Sequence, residues 1–343
     1  MKRSTLIQDI ALLVLLVYVL ICRSCRSMAD WYATSLYPLV SGILSRFSSI
    51  IPFSLDEILV VALSLVLILI LVRGIRNKCR WHTVLLKETR WIILIYVWFY
   101  VGWGLNYSRS SLAQRLETQV ARYDEDAFKT FLADYAARMD SVYVLKAEAG
   151  ADISADLRSF YASIPREAGL CKPRIWQTPK GALASRFFSK VGVTGSMGPF
   201  LSESLLNTEM PQNSYPFTAA HEFAHLMGVS SEAEANFWAF RYCEASPDAS
   251  ICYSGYLSLL GNVLRNARRL LAEEDYREYL GTIRREVIDE YDANVDYWSG
   301  KYSKTLGSIQ NTLYNAYLKG NGISSGTKNY DEVVSLLMTD FQM

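Results

Sequence analysis

The sequence predicts an α+β fold, mostly helical, in which apolar membrane helices precede a soluble domain whose small β-sheet sits just before one functional helix. Three observations predict it. The long apolar runs lie near the start of the 343 residues. A glycine- and proline-punctuated stretch from Arg174 to Met210 reads as short strands. Helical periodicity then resumes at Thr218 and dominates to the C-terminus.

Ile10 to Cys22 is unbroken apolar sequence preceded by Lys2 and Arg3, Ile58 to Val72 is interrupted only by Ser64, and Trp91 to Leu105 is apolar with dense aromatics. Each run is shorter than the ~20 residues that span a bilayer. Flanking residues extend them to spans at 6–24, 55–74 and 89–106. Ser54 with Glu57 three residues on forms a capping box for the second. Trp98, Trp103 and Tyr107 suit an interfacial belt at the end of the third. A cleaved signal peptide is the alternative for the first run, but no small-x-small site follows it, and Arg23 argues against a lipoprotein signal before Cys25. For the other two the alternative is a buried helical hairpin.

Arg73, Arg76, Lys78, Arg80, Lys87 and Arg90 crowd the second loop, against Arg23, Arg26 and Arg46 in the first, so the second loop is expected to be cytoplasmic. Residues 1–107 then form a three-helix anchor, and 108–343 an extracytoplasmic domain. In a bacterium that places a multi-pass protein in the inner membrane with its domain in the periplasm.

A net charge of +1 gives no global field for nucleic acid, and no basic arm or stacking motif is present. The six cysteines lack the spacing of a zinc ribbon or a disulfide framework, although one disulfide among Cys171, Cys243 and Cys252 is open. In the soluble part, Phe128, Phe131, Leu132, Tyr135 and Met139 form the apolar stripe of a helix over 124–145. A second helix covers 154–163 and stops before Pro165. Ala182–Phe188 and Gly192–Thr194 read as β-hairpin runs.

Two of the chain's three histidines fall in HEFAH. Residues four apart on a helix share a face, so His221 and His225 can both reach a single Zn2+. Glu222 sits beside the metal, placed to take a proton from an attacking water and pass it to the leaving group. Phe217, Phe223, Ala224 and Leu226 bury the helix's other face, and Gly228 stops it.

A catalytic zinc takes three protein ligands and keeps one open position. The remaining histidine, His82, lies in the basic loop across the membrane, so a carboxylate or cysteine must be the third ligand. Ser231 with Glu234 reads as a capping box, leaving Glu232 free to reach the metal and Asn236 one turn on to support a ligating histidine. The reverse assignment, Glu234 as ligand and Glu232 solvated, stays open. A metzincin site is excluded, because its third histidine would fall at Ser231.

HExxH followed by Glu-x-x-Ala-Asn resembles the gluzincin type of zinc site, and the ImmA/IrrE-type metallopeptidases carry a similar element with aromatics after it, as Phe237 and Phe240 stand here. Nearly the whole chain is similar to a bacterial family of membrane-anchored HExxH proteins called a domain of unknown function (DUF3810). The segments that carry this resemblance are IPFSLDEIL, WGLNYSR, GVTGSMGPF, PFTAAHEFAH, SEAEANFWAF, YSGYLSLL and YLKGNGISSGTKNYDEVVSLL. The resemblance implies a zincin-like metallopeptidase with His221, His225 and Glu232 as ligands, Glu222 as base, and a peptide or protein substrate.

An upstream strand can pair with extended substrate, and Leu205 to Met210 offers such an edge, with an ordinary hairpin as the alternative. Tyr253 and Tyr256 are candidates for stabilising an oxyanion, against plain packing. Arg265, Arg268 and Arg269, followed by Glu273, Glu274 and Asp275, read as a solvated helix face. GNGISSG reads as a turn between helices. The competing function is a non-catalytic zinc-binding structural or sensory membrane protein, which would gain nothing from Glu222. An intramembrane protease is disfavoured, since HEFAH lies far beyond the last apolar run.

Overall fold

The computed structural model describes residues 3–143, 152–323, 332–339 and 341. Helix α1 (Arg3–Ser24) leads into α2 (Arg26–Trp31), a π-helical turn (Tyr32–Leu36) and α3 (Tyr37–Ser48). Next comes a helical hairpin, α4 (Leu55–Arg76) and α5 (Trp81–Gly102). Among the described residues two helices are long and apolar enough to cross a membrane, Leu6–Ser24 and Leu55–Arg76.

The third expected span, on α5, is not one of these two. α5 carries Lys87, Glu88 and Arg90 in its first half, ends at Gly102, and gives way to a 3-10 turn (Gly104–Ser108). Its last residues are hydrogen-bonded to distant parts of the chain. Trp103, 5 % exposed, donates its indole N–H to the carbonyl of His225 at 2.9 Å, and Trp98 donates to that of Phe200 at 3.1 Å. Core packing therefore runs through the boundary expected at residue 107. Tyr32, Tyr37, Tyr100, Trp103 and Leu105 belong to the same buried cluster as Phe223 and Ala235.

The start of α4 is secured from the domain. Ser54 Oγ accepts from the Glu57 N–H, as the capping box requires. The buried Glu203 carboxylate accepts from the Ser54 hydroxyl and from the Leu55 and Asp56 N–H groups. These are donors that a helix start cannot satisfy internally. Glu57 does not close the box but accepts instead from the Leu183 and Ala184 N–H groups.

Past α6 (Leu112–Arg115), the expected stripe forms α7 (Glu125–Ser141), with Phe128, Leu132, Tyr135 and Met139 buried; residues 144 and 145 of the anticipated helix lie outside the described residues. α8 (Ser154–Ser163) is the second expected helix. The sheet has three strands, β1 (Lys180–Gly181), β2 (Gly195–Gly198) and β3 (Glu203–Leu206), in the order β1-β3-β2. β2 and β3 are antiparallel, and β1 runs parallel to β3.

Three expectations change here. Gly192–Thr194 holds no strand residue, since β2 begins at Gly195. Ala182–Phe188 is mostly helix, because α9 (Ser185–Val191) forms there and Gly192, at φ 74, terminates it. Leu205 to Met210 offers no free edge, since Leu205 and Leu206 lie in the central, buried strand β3 and 207–210 lie beyond it; the edge strands are β1 and β2.

The rest is helical: α10 (Tyr215–Leu226), α11 (Glu232–Ala245), α12 (Ala249–Leu270), α13 (Glu273–Thr282), α14 (Arg285–Lys301), α15 (Lys304–Gly320) and α16 (Val333–Leu337). α10 packs between the sheet, α11 and α12. The expected GNGISSG turn begins where α15 ends, with Gly322 at φ 88, and its residues 324–326 lie outside the described residues. All six cysteines are free, so no disulfide links Cys171, Cys243 and Cys252.

Candidate metal centre

HEFAH lies on α10, which starts at Tyr215 with Pro216 in its first turn, where a missing N–H costs nothing. The helix ends at Leu226, and Gly228 just beyond it, at φ 92, reverses the chain. The reversal brings the Val229 carbonyl to 2.7 Å from His225 Nδ1. A carbonyl can only accept, so that contact keeps a proton on Nδ1 and makes Nε2 the nitrogen that can bind a metal. Other carbonyls at this helix end are satisfied by side chains. Trp103 donates to His225, the Tyr37 hydroxyl to Leu226 at 2.9 Å, and Arg109 to Gly228 at 3.0 Å. The imidazole-bearing turn is thus pinned by two distant segments, α3 through Tyr37 and the 3-10 turn through its flanking Trp103 and Arg109.

Across the reversal, Ser231 caps α11 by accepting from the Glu234 N–H. Glu232 in the first turn then faces α10. Its Oε2 lies 3.2 Å from His221 Nε2 and 3.6 Å from His225 Nε2, and the two Nε2 atoms are 3.1 Å apart. Donors bound to one zinc at ~2.0–2.1 Å stand about 3.3 Å apart in tetrahedral geometry. The spacing therefore fits a metal ion, and His221, His225 and Glu232 can hold one. Two imidazoles and a carboxylate suit zinc or a neighbouring divalent transition metal.

Glu234 takes no part. Its carboxylate accepts from the Leu112 N–H at 2.7 Å and pairs with Arg115 at 2.9 Å, in a site where both side chains are under a tenth exposed. Asn236 is buried and lines the cleft, but it does not support a histidine as expected. His221 Nδ1 has no hydrogen-bond partner, and Val229 supplies the contact to His225.

Glu222 is 5 % exposed and points across α10 at β2. A Cβ added to Gly195 would lie 2.6 Å from Glu222 Cγ, so the strand approaches this side chain only because residue 195 has none. Burial raises the Glu222 pKa, while the two imidazoles work against that rise. A base raised from the usual carboxylate range holds a proton more readily at neutral pH. Together these residues open onto a cleft of about 780 Å3, lined also by Phe187, Thr194, Phe200 and Gln310.

Sequence reasoning missed the tyrosines of α15. The Tyr314 hydroxyl donates to Glu232 Oε1 at 2.5 Å, leaving Oε2 turned toward the histidines. Tyr317 lines the cleft beside it. The tyrosines singled out earlier are structural: Tyr253 donates to Glu290 and Tyr256 packs on Tyr135 and Phe240. Nothing local distinguishes Tyr314, which lies 82 residues from its partner. Replacing Tyr314 with Phe is expected to weaken metal binding by about 10–100-fold, the usual cost of losing a group that orients a ligand. Competition with a chelating dye measures it.

In the metal-free protein burial opposes charging His225, but the Glu232 carboxylate outweighs it and raises the pKa to about 9. The same imidazoles hold Glu232 well below the usual carboxylate range, although burial alone would raise it. Metal must displace the His225 proton. Affinity is therefore expected to rise with pH by up to about tenfold per unit until about pH 9, and to level off above it. Calorimetry in buffers of different ionisation heat would detect the released proton; binding that is flat from about pH 6 to 8 would contradict the coupling.

The chain belongs to the family described as a protein of unknown function (DUF3810), which it matches over residues 32–338. No curated protein and no solved structure shows significant similarity to it.

Proposed function

We propose that this DUF3810 protein is a membrane-anchored, zinc-dependent metallohydrolase with a zincin-like, gluzincin-type site that cleaves peptide bonds. The observation that carries the reading is the convergence of His221, His225 and Glu232 beside a buried glutamate that is not a ligand. A purely structural site would gain nothing from that glutamate and would close its fourth position.

When bound, the metal supplies Lewis acidity that polarises a carbonyl and acidifies water. The chain supplies the rest. Val229 and Tyr314 fix the orientation of His225 and Glu232. Glu222 takes the proton from the attacking water and returns it to the leaving amine. β2 lines the cleft as an edge strand, so an extended peptide can be held there by main-chain hydrogen bonds.

Anchoring rests on α1, α4 and α5. The tight turn between α4 and α5 returns the chain to the side it left, which agrees with the packing of α2 and α3 beside the domain. Arg73, Arg76, Lys78 and Arg80 lie exposed at the far end of this hairpin. With that end cytoplasmic, the protein crosses the bacterial inner membrane three times, and the metal site faces the periplasm.

The test is hydrolysis of a peptide library by the purified full-length protein. Cleavage is expected with zinc, lost on chelation, and restored by adding zinc back. Cleavage that persists after complete metal removal would overturn the reading.

A further inference from the structure

α3 is built the wrong way round for a helix surrounded by water. The face it turns to the protein carries Ser41, Ser45 and Ser48, all buried. That face is held by polar contacts: Gln177 Nε2 donates to Ser41 and Ser45, and Trp176 Nε1 donates to Ser45. The opposite face is apolar apart from Arg46. Leu39, Ile43 and Phe47, at intervals of four, are 58 %, 71 % and 60 % exposed. Ile50, 71 % exposed, and Phe53, 42 %, continue the stripe to Ser54, where α4 begins.

A soluble protein places such side chains inward, and an apolar stripe of this length marks a contact surface. What covers it is indicated by continuity. Along the chain the stripe leads, past the α4 start at Ser54, directly into the apolar helix α4, where Ile58, Val61 and Leu65 are exposed in turn. Arg46, on the same face, lays its guanidinium over the Trp176 ring, a position suited to the level of lipid headgroups.

We infer that α3 is a lipid-contacting interfacial helix: Leu39, Ile43, Phe47, Ile50 and Phe53 sit in the acyl region of the leaflet on the domain's side. The inference rests on the membrane anchoring proposed above. It gives the metal centre a fixed height, because Tyr37 on the same helix donates to the Leu226 carbonyl at the end of α10. The hydrolytic site is thereby held beside the bilayer surface instead of swinging on a tether. Polypeptides anchored in that leaflet are the substrates such a site reaches first.

The test uses the full-length protein in phospholipid nanodiscs with Cys25, Cys79 and Cys252 replaced by serine. A nitroxide is attached at Ile43→Cys, at Leu65→Cys in α4, or at Arg285→Cys on the exposed start of α14. Collision with oxygen, which partitions into lipid, is compared with collision with a water-soluble nickel chelate. The oxygen-to-nickel ratio at position 43 is expected to match that at 65 and to exceed that at 285 several-fold. A label at 43 open to nickel while 65 stays protected would overturn the inference and leave the anchor standing. A label at 43 shielded from both reagents would mean a second protein surface, such as another copy of the chain, and would also overturn it. Nickel access at 65 as well would defeat the anchoring reading, and this inference with it.

Discussion

Replacing Glu222 with Gln is expected to leave metal content unchanged and to lower hydrolysis by about 10²–10⁴-fold, the usual contribution of a positioned general base. The substitution preserves shape, which matters in a position where β2 leaves room for nothing larger. The amide keeps hydrogen-bonding capacity but cannot accept the proton of water. Glu222 lies outside the converging donor set, so the affinity for metal should not follow the activity. Elemental analysis and peptide turnover on the same preparation separate the two effects. Loss of metal with the activity would make Glu222 a ligand, and unchanged turnover would remove it from the chemistry.

The second large effect separates two glutamates two residues apart. Glu232→Ala is expected to weaken metal binding by more than about a hundredfold, beyond the range seen when only an orienting group is lost. Glu234→Ala is expected to keep the metal and to lose stability instead. It strips a buried Arg115 of its partner and leaves the Leu112 N–H without an acceptor. Breaking such a buried pair from one side costs about 3–5 kcal/mol. Metal titration paired with thermal unfolding in detergent reads both variants. The opposite pattern would make Glu234 the ligand.

What could be read from the sequence at this site is what depends on local geometry. The spacing of His221 and His225, the stop at Gly228 and the cap at Ser231 each follow from a few neighbouring residues, and together they present Glu232 to the histidines. The contacts that orient these ligands were not legible. Val229 acts through its backbone carbonyl, which every residue has, and Tyr314 arrives from α15 by tertiary packing alone.

Trp103 shows the same limit from another side. An aromatic at the end of an apolar run fits an interfacial belt, and only the folded chain reveals that its N–H meets the carbonyl of His225. The helix α3 is not legible from sequence because its buried face is lined by serines, the reverse of the usual apolar-inward pattern. Ala182–Phe188 reads as strand because glycines and prolines punctuate the short runs around it, whereas the αL glycine at 192 closes one short helix there.

In the proposed centre three side chains hold one divalent metal. The most direct test is X-ray absorption on the full-length protein loaded with zinc, combined with elemental analysis. One zinc per chain is expected, coordinated by two imidazole nitrogens and carboxylate oxygen at about 2.0–2.2 Å, with the imidazole signal lost in a variant carrying both His221→Ala and His225→Ala. Substoichiometric zinc, or zinc whose coordination is unchanged in that double variant, would contradict it.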